Sequence, residues 1–141
     1  MSISVALFDL DDTLFAHRAA VDRGIEAFIG STGATFDPAE LGRWRDLEEH
    51  HYHRYLAGEL DYLGQRRERA RGFAAAYDVA LEHDGDAEAW FEDYVGHYRA
   101  AWQLHADALP CLDELAGRGI RLGIITNGDV DFQRATIGRW H

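Results

Sequence analysis

The chain has 141 residues, a single cysteine and a formal net charge of -11 at pH 7. That length suits one domain, or a core sharing it with a smaller module, and the charge weighs against nucleic-acid backbones and anionic membranes as partners. With Cys111 alone no internal disulfide can form, and with no cationic leader and no bilayer-length apolar run the expectation is a cytoplasmic protein.

The first element is the apolar run at residues 3–8, which lacks alternation and so reads as a strand buried on both faces of a parallel sheet. Asp9 and Asp11 follow at its carboxyl end, where open α/β sheets hold their ligands. Side chains alternate along extended chain, which puts both carboxylates on one side and Asp12 on the other. Paired carboxylates are hard oxygen ligands of the kind that suit Mg²⁺ with a phosphate in its shell. A turn or helix cap also recruits aspartates, and the pair alone favours that simpler reading.

Helices fill the middle of the chain. Val21, Ile25, Phe28 and Ile29 make one apolar stripe, with Gly30 in a C-cap position. Pro38 fits the first turn of a second helix lined by Leu41, Trp44, Tyr52, Tyr55 and Leu56. Leu63, Ala70, Phe73 and Tyr77 suggest a third. Ala87, Trp90, Phe91, Tyr94, Tyr98 and Trp102 suggest a fourth, and stripes at this spacing pack a bundle rather than line a cofactor pocket. His50 and His53 could share a helical face but lack a third ligand, so a solvated surface is expected there, as for the arginine run at residues 65–71. An inward arginine in that run would be suited to an anionic substrate.

Asp107 and Pro110 open a fifth helix, with Leu109, Leu112, Leu115 and Ala116 inward and Gly117 and Gly119 at its end. A second buried strand follows at residues 120–126, ending in Thr126, Asn127 and Gly128. A threonine hydroxyl beside backbone N–H groups in a glycine-containing turn makes a phosphate-sized donor pocket, strengthened if a helix begins just beyond. An ordinary strand-to-helix turn has the same residues.

FDLDDTL followed far downstream by IITNGD resembles the haloacid dehalogenase (HAD) superfamily, specifically its phosphatase-like members with a helical cap. The resemblance implies an α/β fold: a Rossmann-like parallel-sheet core, here incomplete, from residues 1–16 and 105–141, with residues 17–104 as the inserted cap. It implies Asp9 as nucleophile and Asp11 as general acid and base. Thr13, Thr126, Asn127 and Gly128 would hold phosphate, and Mg²⁺ would take the Asp9 carboxylate and the Asp11 backbone carbonyl. The superfamily's dehalogenases lack an aspartate at the position of Asp11, so hydrolysis of the phosphate ester of a small metabolite is implied.

The family pattern continues past the second motif to a lysine or arginine and an acidic pair. All 14 basic residues of this chain are arginine, and Arg134 and Arg139 follow Thr126 too soon to match. The expectation is a truncated member, a poor catalyst on its own and self-associating through uncovered sheet; the alternative is an inactive fragment serving at most as a binding or assembly module.

Overall fold

The computed structural model describes residues 3–138, and Arg139 lies outside them. The chain divides into two compact units, Met1–Ala20 with Trp102–His141 and Val21–Ala101. The division falls inside the first helix, α1 (His17–Ser31).

In the first unit, β1 (Val5–Phe8) pairs in parallel with β2 (Arg121–Ile124), Val5 opposite Arg121 and Phe8 opposite Ile124. Two further backbone bonds extend the ladder, Arg121 N–H to the Ser4 carbonyl at 3.0 Å and Ile125 N–H to that of Phe8 at 2.8 Å. These strands are shorter than the apolar runs that carry them. They are also not buried on both faces, because β1 alternates: Ala6 and Phe8 are half-buried while Val5 and Leu7 are 40% and 61% exposed. An unbroken apolar run fits a two-faced strand but cannot show that a second layer covers it.

The fifth helix, α5 (Ala108–Gly117), packs on β2. A cavity of about 250 Å³ lies there, lined by Phe8, Leu10, Leu112 and Ile124 among others. Of the α5 side chains expected inward, Leu112 and Leu115 are half-buried, whereas Leu109 and Ala116 are exposed. Gly119, at φ 75°, takes the left-handed conformation that ends the helix and turns the chain into β2. The last helix, α6 (Val130–Gly138), is capped by Asp129, whose carboxylate accepts from Phe132 N–H at 2.9 Å. Phe132 packs edge-on against the buried Trp102, which in turn meets Phe15. Trp102 thus belongs to this unit and not to the fourth helix, which stops at Ala100.

The second unit is helical. The α1 stripe of Val21, Ile25, Phe28 and Ile29 is buried. The helix runs past Gly30, and the left-handed glycine that ends it is Gly33 at φ 81°, after Ser31 and Thr32 hydroxyls bond back to the Phe28 and Ile29 carbonyls. Pro38 precedes α2 (Ala39–Leu56), followed by α3 (Tyr62–Ala74), a 3₁₀ turn (Ala75–Tyr77) and α4 (Asp84–Ala100). Trp44, wholly buried, meets Phe73, Phe91 and Tyr94. Tyr52, Leu56 and Leu63, expected to line helices, are exposed, so the core is narrower than the apolar pattern implies.

Two polar expectations change here. His51 is buried, and burial, with His50 beside it, holds its imidazole below the ordinary value. Arg69 does turn inward, but Glu48 meets its guanidinium at 2.6 Å and Trp44 lies under it at 4.7 Å, so its charge is already matched. Arg66, Arg67 and Arg71 pair with Glu92, Glu88 and Asp84.

Candidate functional site

The first unit brings the two motifs together because parallel strands end at the same edge of a sheet. Asp9 leaves β1 exposed, Leu10 turns inward and Asp11 is half-buried, which keeps the strand's alternation for three residues beyond its end. The chain then wraps round one oxygen: the N–H groups of Thr13, Leu14 and Phe15 all point at the Leu10 carbonyl, at 3.3, 3.0 and 3.0 Å. That turn carries Thr13 back to Asp9, whose Oδ2 accepts from the Thr13 hydroxyl at 2.9 Å.

Asp12 makes the turn feasible. It sits at φ 59°, where aspartate is better tolerated than most residues, and its Oδ1 accepts from Arg18 N–H in the first turn of α1 at 2.7 Å. Asp12 is therefore a capping residue. His17 opens α1 half-buried, its ring edge-on to that of Phe15. The segments on either side of the inserted helices pair through Ala16 N–H to the Gln103 carbonyl at 3.0 Å and His105 N–H to that of Leu14 at 2.9 Å.

At the end of β2, Thr126 is half-buried, whereas Asn127 and Gly128 are exposed. The Gly128 N–H reaches the Thr126 hydroxyl oxygen at 3.3 Å rather than standing free. A helix does begin just beyond, and its first turns supply a residue that motif reading passes over. Gln133 is only 5% exposed, and its Nε2 donates to Asp11 Oδ2 at 2.9 Å and to Thr126 Oγ1 at 3.1 Å. The two motifs thus meet on one amide nitrogen. Gly128 is what admits it, since a Cβ at that position would stand 2.2 Å from Gln133 Nε2. Arg134, next in sequence, is exposed.

Among the described residues no cluster of three His, Cys, Asp or Glu side chains is disposed to hold a metal ion. The oxygens of Asp9 and Asp11 nonetheless fit the chemistry of Mg²⁺, which takes one or two carboxylates and completes its shell with water and phosphate. No helix among the described residues is long and apolar enough to cross a membrane.

A parallel strand pair carrying acidic and hydroxyl side chains at its carboxyl edge, with helices inserted between the strands, is an α/β core with a polar site at its strand ends. The family model for haloacid dehalogenase-like hydrolases matches residues 3–139, and the chain belongs to that family. The crystal structure of the putative HAD-hydrolase YfnB from Bacillus subtilis, bound to magnesium, superposes with a TM-score of 0.80 at 16% identity. The alignment covers 99% of this chain and 59% of that one, so the chain spans somewhat over half the length of its structural neighbour. No curated protein matches in sequence.

Proposed function

We propose that this site hydrolyses the phosphate monoester of a small metabolite through an aspartyl-phosphate. The observation that carries the reading is the meeting of Asp11 and Thr126 on one buried amide, which sets a proton-transfer group beside a phosphate-binding hydroxyl. Thr13 holds Asp9 Oδ2, leaving Oδ1 to attack phosphorus as the bond to the alcohol oxygen breaks. Asp11 gives its proton to that oxygen. The Asp11 carboxylate then takes a proton from water, whose oxygen attacks phosphorus, and phosphate leaves with Asp9 regenerated.

Thr126, with the Asn127 amide, would hold the phosphate, the α6 N-terminus behind them favouring an anion, while the Gly128 N–H supports the Thr126 hydroxyl. The Asp9 carboxylate and the Asp11 backbone carbonyl would hold Mg²⁺, which when bound neutralises charge between carboxylate and phosphate. In the same reading residues 17–104 are the cap that sets substrate choice, and residues 1–16 and 105–141 are the core. Partners are the metabolite and, through the exposed β1 and β2 faces, a second copy of the chain, with neither nucleic acid nor membrane; the single, exposed Cys111 suits a cytoplasmic setting.

The test is release of phosphate from an aryl phosphate by the purified chain. Turnover should require Mg²⁺ and vanish in Asp9→Asn, while Asp11→Asn should slow breakdown of the phosphoenzyme. Full activity in Asp9→Asn would remove Asp9 from the nucleophile role. A second reading, a binding or assembly module without turnover, is favoured by the lack of a third metal-ligating group among the described residues. Binding of inorganic phosphate with no turnover in the wild type would select it.

A further inference from the structure

We infer that Gln133 is a positioning residue for this site: its amide clamps Asp11 to Thr126 and turns the Thr126 hydroxyl proton toward the phosphate.

The orientation of the amide follows from its partners. The Gln133 Nε2 faces Asp11 Oδ2 at 2.9 Å and donates to it, which leaves Oδ1 to carry the proton that Asp11 gives as general acid. The same nitrogen stands 3.1 Å from Thr126 Oγ1, and the Gly128 N–H reaches that oxygen at 3.3 Å. A hydroxyl oxygen accepts two bonds, and here both come from donors in its own turn and helix. Its proton is left to point away from both, and an anion at the strand ends is the acceptor that suits it. Without Gln133 the hydroxyl is free to turn a lone pair toward the phosphate, which repels it.

Stability does not account for a glutamine here. Among the described residues its Oε1 is buried without a hydrogen-bond partner, an arrangement that usually costs a fold rather than supports it. An apolar side chain of the same length would fill the space with no orphan acceptor. Gly128 gives up a side chain for the same contact. Two residues thus accept a local cost to hold one amide against two hydrogen-bond acceptors.

The inference rests on the phosphatase reading for the direction of the hydroxyl proton, but the clamp can be tested without turnover. The chain has three glutamines, Gln65, Gln103 and Gln133, and one asparagine, so side-chain amide signals of the ¹⁵N-labelled full chain can be assigned. Asp11→Asn and Thr126→Val should each shift the Gln133 pair and leave those of Gln65 and Gln103 in place. A Gln133 pair that stays put in both overturns the clamp. In the aryl phosphate assay with Mg²⁺, Gln133→Met should lower kcat about 10- to 100-fold, as for other partners that orient a reacting group, with an unchanged or raised unfolding midpoint. Gln133→Glu keeps the shape but sets an acceptor against Asp11, and should lower kcat further. Wild-type turnover in Gln133→Met, or a lowered kcat that tracks a lowered midpoint, overturns the positioning role. If the wild type itself releases no phosphate, the phosphatase reading fails, and the amide signals still decide the clamp.

Discussion

Arginine meets carboxylate throughout the helical unit, whereas the aspartates of the sheet unit's turn take their hydrogen bonds from neutral donors. Glu40, Glu48, Glu88 and Asp84 each sit against a guanidinium. Asp9, Asp11 and Asp12 accept instead from a hydroxyl, an amide and a backbone N–H. A carboxylate matched by arginine is already spoken for. One held by a neutral donor is oriented without being neutralised, and preorganised charge of that kind is what a reacting site requires. The inserted helices are held by matched charge, and the aspartates of the turn after β1 by neutral donors.

The contrast should break most visibly at Trp44. Trp44→Ala removes the largest wholly buried side chain of the helical unit and should cost about 3–5 kcal/mol by calorimetry. The Gln133 amide signals should stay in place, because the clamp draws on the sheet unit alone. Asp12→Ala should cost less, about 1–2 kcal/mol in the same measurement, through loss of the cap on α1 and strain at φ 59°.

A pH scan sharpens the helical side of the comparison. His51 titrates below its ordinary value of 6.5 because burial and His50 disfavour its charged form. The unfolded chain therefore binds a proton before the folded one does. The stability this side chain leaves intact above that value is lost as pH falls below it. Wild type should show a falling unfolding midpoint in that window, and His51→Gln should flatten the fall. The smallest effect is expected at Leu7, which is 61% exposed on β1. Leu7→Thr should change stability by no more than about 0.5 kcal/mol, yet weaken any concentration-dependent association seen by sedimentation.

The helices were legible because burial on a helix repeats at 3.6 residues, and Val21, Ile25 and Phe28 or Phe91, Tyr94 and Tyr98 announce it. Their ends were less so: Gly30 is a plausible stop, but hydroxyls at Ser31 and Thr32 carried α1 to Gly33. His51 and Arg69 looked solvated because polar residues usually are. Only the helices packed around them show one desolvated and the other neutralised by Glu48.

By itself the sequence determined the family, the parallel α/β core with helices inserted between its strands, and the residues at the ends of those strands, since these depend on local pattern and on short motifs. Gln133 was beyond it. The residue stands 122 positions from Asp11, and an amide in a helix reads as one more solvated side chain until the chain is folded. Its only local signal was the Gly128-Asp129 pair, which opens α6 and puts Gln133 near the start of that helix. Tertiary structure decided the rest: which hydroxyl meets which carboxylate, and which apolar side chains of β1 stay exposed. Those outcomes depend on what packs against each residue, and neighbours in space are fixed only when the strands and helices have come together.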